Sequence, residues 1–243
     1  PYVRNFWPLQ YYLWSNLMIN PDCDIDKLSE DFFNGYYGAA APIMEEYYNQ
    51  LRQWEMYLES NPDNVVLIDE AYVDFGGESA IPLTKKYDNL LVCMTYSKSR
   101  GMAGARLGFA IGNAELIADL ELMKYSTNPY NLDSLALRMG AAALTDSSKA
   151  YYEEKVGEVV RVREETAQKL AALGATVLPS KANFLFVKLP NVSGGEAYTK
   201  LRERGILVRH FSKARICDYL RISIGTAEDM AALVDAVAEI IKE

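Results

Sequence analysis

The chain has 243 residues, half of them apolar, which is enough for one large or two modest folded units and excludes a disordered polymer. A net charge of −8 argues against nucleic acid or an anionic membrane surface as partner. The three cysteines, Cys23, Cys93 and Cys217, lie far apart with no CxxC spacing, so neither a metal site nor a disulfide framework is expected, and a reducing, cytoplasmic setting fits.

In chain order, residues 1–56 read as helical and unusually aromatic. "DIDKLSEDFFNGYYG" has a capping acid at Asp24 or Asp26, "NGYYG" reads as a helix break, and "AAAPIMEEYYNQLRQWEMYL" repeats apolar residues at helical spacing. Phe6, Trp7, Tyr11, Tyr12, Trp14, Phe32, Phe33, Tyr36 and Tyr37 are expected to pack as a core rather than form a sugar platform. The aromatic opening lacks the basic start and cleavage site of a signal peptide, and no run of about 18 apolar residues suggests a membrane span. A start on Pro1 rather than methionine is expected of an excerpt from a longer chain.

A composition shift over residues 52–64 marks a seam, after which short β-rich runs alternate with helices, the signature of α/β layering. "VVLI" and "LLVCM" read as buried strands and "ARLGFAIG" as a third, followed by helices in "NAELIADLELMKY" and "NLDSLALRMGAAAL". A long amphipathic helix then runs to Gly174, a natural stop. "ATVLPSKANFLFVKL" gives two strands about a turn, a helix follows over about 195–204, and "GILVRHF" and "DYLRISIG" add short strands. A final helix is capped by Thr226. These last elements form an α+β unit hung on the long helix.

Two segments carry chemistry. In "VVLIDEAYVDF" Asp69 sits where a strand ends, the place where open α/β sheets present groups to ligands, and in "TYSKSRGMAGARLG" Lys98 does so one strand later. A lysine held out of water in a small crowded loop loses its charge easily and becomes a nucleophile toward a carbonyl. If that carbonyl is pyridoxal phosphate, Asp69 can keep the ring nitrogen protonated, Tyr72 can serve the ring's phenolic oxygen, and Arg106 with Ser97 and Thr95 can hold the phosphate. The competing reading of Arg106 is an ion pair with Asp69 or Glu70. His210, the only histidine, is expected to have no catalytic role.

From about Tyr57 onward, "LIDEAYVDF", "TYSKSRGMAGARLG", "SKANFLFVK" and "YLRISIGT" occur in the order of, and resemble, the segments of the histidinol-phosphate aminotransferases, pyridoxal-phosphate enzymes of fold type I. The resemblance implies an α/β fold class: a partial type I large domain over 57–150 and a C-terminal α+β small domain over 151–243, preceded by the helical segment 1–56. It implies Lys98 as the imine-forming catalytic lysine, Asp69, Tyr72, Thr95, Ser97 and Arg106 as cofactor contacts, and Arg209, Arg221 and Asn183 as substrate contacts. It further implies transamination between L-histidinol phosphate and 2-oxoglutarate, with glutamate as the other partner of that exchange, in histidine biosynthesis, by a homodimer. Related aromatic-amino-acid aminotransferases and threonine-phosphate decarboxylases remain alternatives on the same scaffold. The glycine-rich phosphate cradle, the ring-stacking aromatic residue and the "NPNNPTG"-like segment of that family are not found in residues 1–64. Residues 1–56 resemble instead a helical stretch of bacterial proteins related to α-glucuronidase-type glycoside hydrolases. An inactive fused or truncated chain is therefore the further alternative.

Overall fold

In a computed structural model, residues 9, 12–13, 16, 18, 20, 22–37 and 40–243 are described. Helix α1 (Ile25–Tyr37) starts where Asp24 Oδ1 accepts from the amides of Asp26 and Lys27, which makes Asp24 the cap. It continues through Asn34 and Gly35, so the chain does not break there; helical spacing keeps Phe33 and Tyr37 on one buried face. Helix α2 (Ala41–Glu59) returns against it, and Leu9, Phe32, Phe33 and Ala41 form their shared core with Tyr12, Tyr37, Tyr47 and Tyr48 around it. Tyr36 contributes ring contacts to Phe32 but stands 61% exposed. Phe6, Trp7, Tyr11 and Trp14 lie outside the described residues.

The far end of α2 covers a sheet of β1 (Val66–Asp69), β2 (Leu90–Thr95) and β3 (Gly108–Gly112), in the order β1-β2-β3. Leu51, Trp54 and Leu58 of α2 pack with Val66, Ile68, Leu90, Val92 and Met94. The strands β1 and β2 are parallel, with Asp69 opposite Cys93, and β3 runs antiparallel to β2. "VVLI" is not the fully buried strand its composition suggests. Side chains alternate faces along a strand, and on the face away from α2 Leu67 is 57% exposed, because β1 is an edge strand among the described residues. Asp69 shares that outer face.

Helices α3 (Ala114–Thr127) and α4 (Ser134–Ala142) follow, capped by the side chains of Asn113 and Asp133. The long helix α5 (Asp146–Ala172) begins at the Thr145 cap and ends at Leu173, after which Gly174 takes φ +86°. It links the first sheet to a second, antiparallel one ordered β4-β5-β7-β6, comprising β4 (Thr176–Leu178), β5 (Phe184–Lys188), β6 (Arg209–His210) and β7 (Leu220–Ser223). Helices α6 (Gly194–Glu203) and α7 (Ala227–Lys242) close this unit around Leu170, Leu185, Val187, Leu201, Leu220, Ile222, Val237 and Ile240.

Arg163 of α5 fastens the two sheets together. Its side chain is 5% exposed, and Nη1 donates to the carbonyls of Phe75, beyond β1, and Ala182, before β5, each at 2.9 Å. Lys181 and Glu46 add an ion pair of 2.8 Å between the same turn and α2.

Candidate functional site

Because β1 and β2 are parallel, their C-terminal ends open on the same side of the sheet, and the loops that follow them can meet. They do. Lys98 Nζ stands 5.1 Å from the centroid of the Tyr72 ring. Tyr72 in turn meets Phe184 of β5 edge-on at 5.5 Å, and the Arg221 guanidinium of β7 lies over that Phe184 ring at 5.4 Å. A path of ring contacts therefore joins residues of both sheets. Asn183, next to Phe184, shares with Lys98 the wall of a cavity of about 710 Å³, which runs between the 98–102 loop, α5 and Ile224.

Asp69 is exposed on the outer face of β1, where its Oδ1 accepts from the Ala71 amide at 3.0 Å. Its charge reaches Cys93: burial pushes that thiol's pKa up, and the Asp69 carboxylate pushes it further. Thr95 Oγ1 accepts from the Ser97 amide at 3.1 Å and so fixes the start of the Lys98 loop. Arg106 connects to the same place through its neighbour, since the Leu107 carbonyl accepts from the Tyr96 amide at 3.0 Å.

Two expectations need correction. Lys98 is exposed rather than withdrawn into a crowded loop: the loop projects beyond the end of β2, and the lysine amine lies over the Tyr72 ring while the residue lines the open cavity. Arg106 pairs with neither Asp69 nor Glu70. It adopts the left-handed conformation at φ 52° and donates to the Ala103 carbonyl at 3.1 Å, which holds an exposed guanidinium in a strained, fixed place. Glu70 instead accepts from the Ser79 hydroxyl and the Ala80 amide.

Arg209 and Arg221 are register partners across β6 and β7. Their guanidinium groups lie over different rings, Arg209 over Phe211 at 5.6 Å and Arg221 over Phe184 at 5.4 Å. Arg221 Nε and Arg100 Nε are both buried with no hydrogen-bond partner among the described residues. His210 Nε2 donates to the Cys217 carbonyl at 2.7 Å, a structural bond.

Sequence reading missed Asp74, Arg100, Tyr152 and Arg163. Arg100 forms an ion pair with Asp74 at 3.3 Å, and Arg163 bridges the sheets. The available signal was one extra charge of opposite sign in each of the two motifs, Asp74 in "DEAYVDF" and Arg100 in "SKSR".

The structure brings Lys98 to Tyr72 and sets Thr95 and Ser97 at the start of the Lys98 loop, while Asp69 bonds to the Ala71 amide on the outer face of β1 and Arg106 to the Ala103 carbonyl.

Residues 50–237 match the family model described as aminotransferase class I and II, and residues 4–49 match a domain of unknown function, DUF4838. The two matches meet inside α2. The chain is 51% identical over 185 residues to a histidinol-phosphate aminotransferase of Chromohalobacter salexigens, covering 76% of this chain and 52% of that protein. It thus spans about half the length of that relative. A histidinol-phosphate aminotransferase from Sinorhizobium meliloti, solved in complex with pyridoxal-5'-phosphate, superimposes with a TM-score of 0.62 at 25% identity, covering 73% of this chain and 49% of that one. An L-threonine-O-3-phosphate decarboxylase from Porphyromonas gingivalis shares the fold alone, at TM-score 0.68 and 21% identity over 79% and 59% of the two chains.

Proposed function

Because the chain belongs to the class I and II aminotransferases, we propose that the activity to which it contributes is transfer of the amino group of L-histidinol phosphate to 2-oxoglutarate, giving glutamate, with pyridoxal 5'-phosphate as cofactor. The observation that carries this reading is the meeting of Lys98 with Tyr72, 5.1 Å apart, at parallel strand ends one strand from Asp69. The names and cofactor of the relatives support it. In this reading the reaction belongs to histidine biosynthesis in the cytoplasm. On the same reading residues 1–56 are a segment of separate origin, 57–150 part of the cofactor-binding domain and 151–243 the small domain; the two family matches meet at residues 49 and 50, inside the first of these segments, and the aminotransferase match runs across the boundary between the other two without a break. The exposed apolar side chains of Leu122, Met123 and Tyr125 on α3 and Leu135 and Leu137 on α4 support a homodimer.

When bound, the cofactor supplies an electron sink for the charge left on the substrate carbon. The chain's own groups do the rest. The Asp69 carboxylate holds a proton on the ring nitrogen, and the Tyr72 hydroxyl donates to the ring oxygen. Ser97, Thr95 and Arg106 hold the phosphate. Lys98 Nζ takes the proton from the amine-bearing carbon of the substrate and later returns one. Arg209 and Arg221 bind the substrate's phosphate or the carboxylate of the acceptor, and Asn183, on the cavity wall with Lys98, contacts the substrate.

The decisive measurement is a cofactor titration followed by visible absorbance, borohydride reduction and peptide mass. The expected result is a pyridoxyl group on Lys98, lost in Lys98→Ala. Modification spread over surface lysines, unchanged in that variant, would overturn the cofactor reading. A higher kcat/KM for aromatic amino acids or threonine phosphate than for histidinol phosphate would overturn the substrate choice while keeping the cofactor.

A further inference from the structure

Lys98 is exposed and its amine lies over the Tyr72 ring without a hydrogen bond or ion pair among the described residues, yet it must meet one atom of a cofactor. What fixes it lies two residues on. The Arg100 side chain is 9% exposed and pairs with Asp74 Oδ2 at 3.3 Å; Asp74 itself keeps 29% of its side-chain surface. The Ser99 hydroxyl donates to the same carboxylate oxygen. Arg100 Nη2 donates to the Tyr152 hydroxyl of α5 at 3.4 Å, and the guanidinium lies over the rings of Tyr96 at 5.0 Å and Tyr152 at 4.7 Å. Asp74 follows Tyr72 by two residues just as Arg100 follows Lys98 by two. The Lys98–Tyr72 contact and the Arg100–Asp74 pair therefore join the same two segments at neighbouring points.

We propose that Arg100, locked to Asp74 and Tyr152, is the positioning residue that holds the Lys98 loop against the turn after β1 and sets where the lysine amine stands. This rests on the reading of Lys98 as the cofactor-bearing lysine. The physical case is one of entropy and dielectric. Gly101, at φ +64°, follows Arg100; the Gly101 amide donates to the Lys98 carbonyl at 3.2 Å and the Met102 amide to the Tyr96 carbonyl at 3.0 Å, so local bonds close the turn and the Arg100 side chain adds the tie to the segment after β1 that they do not make. Without that tie the loop would regain backbone freedom. A largely desolvated ion pair, shielded by two rings, is screened far less than a surface pair and can offset that freedom.

Two readouts on the full chain test this separately, using wild type, Arg100→Met, Asp74→Asn and the double variant. Without cofactor, hydrogen exchange of the 96–102 segment is expected to speed up about tenfold in each single variant, with β7 and α7 unchanged. With pyridoxal phosphate and borohydride, modification of Lys98 is expected to slow by about tenfold or more in each, and no further in the double variant, since the two side chains act as one device. Unchanged exchange over 96–102 in both single variants overturns the proposal whatever the labelling shows. Exchange that rises equally throughout the chain also overturns it, by making the pair a general stabiliser. Local exchange that rises while wild-type Lys98 takes no label keeps the loop anchor and removes the cofactor reading.

Discussion

Asp69 and Cys93 face one another across β1 and β2, and this gives the outer face of the sheet a titration that can be read. Burial raises the Cys93 thiol and the Asp69 carboxylate raises it further, because a thiolate beside a carboxylate is disfavoured. Removing the negative charge therefore favours the thiolate. Asp69→Asn is expected to shift the pH midpoint of Cys93 alkylation by iodoacetamide downward, toward the ordinary thiol value, with peptide mass identifying the site. An unmoved midpoint would mean that the carboxylate points elsewhere and would weaken its assignment to the ring nitrogen. Arg221 offers the converse case. Its buried Nε has no partner, so Arg221→Met is expected to leave urea stability unchanged or raised, while weakening protection of the chain by histidinol phosphate. A clear loss of stability would show that the guanidinium is structural.

At the scale of the element, α7 and α6 show how local chemistry fixes the small unit that carries Arg209 and Arg221. Thr226 Oγ1 accepts from the Asp229 amide while the Asp229 carboxylate accepts from the Thr226 amide, a reciprocal cap at the start of α7. Thr226→Ala is expected to cost about 1 kcal/mol in a urea melt. Gly194, the first residue of α6, meets a harder limit. A Cβ there would stand 2.3 Å from the Cys217 carbonyl oxygen and 2.8 Å from Asp218 carbon, both backbone atoms with little room to give. Gly194→Ala is expected to cost about 1–3 kcal/mol, more than the lost cap, and a neutral result would show that the 217–218 backbone moves freely. Helix α2 makes a different point. Two family matches meet inside one unbroken helix of 19 residues. Helical spacing is compatible on either side of the junction, and the end near the sheet supplies Leu51, Trp54 and Leu58 to its core.

Across the whole molecule, the two sheets communicate through α5, with Arg163 as the tie. Arg163→Met would leave the Phe75 and Ala182 carbonyls short of a donor and is expected to cost about 2–4 kcal/mol, read as a lower urea midpoint. The same variant should loosen the Tyr72–Phe184 contact, because each ring lies close in sequence to one of those carbonyls. Much of this architecture is legible in the sequence. Asp24 and Thr226 announce helix starts, Gly174 marks the end of α5, and the strands after Val65 follow their β-rich runs. These signals act over a few residues, so one dimension suffices to read them. Lys98, Asp69, Tyr72 and Arg106 were nameable for a similar reason: their identity lies in short segments whose spacing the chain itself fixes. The sequence could not say which faces of β1 are covered, since Leu67 is as apolar as Ile68 and only the placement of α2 separates them. Nor could it pair Arg100 with Asp74, bring Arg163 to two carbonyls, or set Arg209 opposite Arg221. Those contacts join residues up to 88 positions apart, and their strength comes from the burial that tertiary packing alone creates.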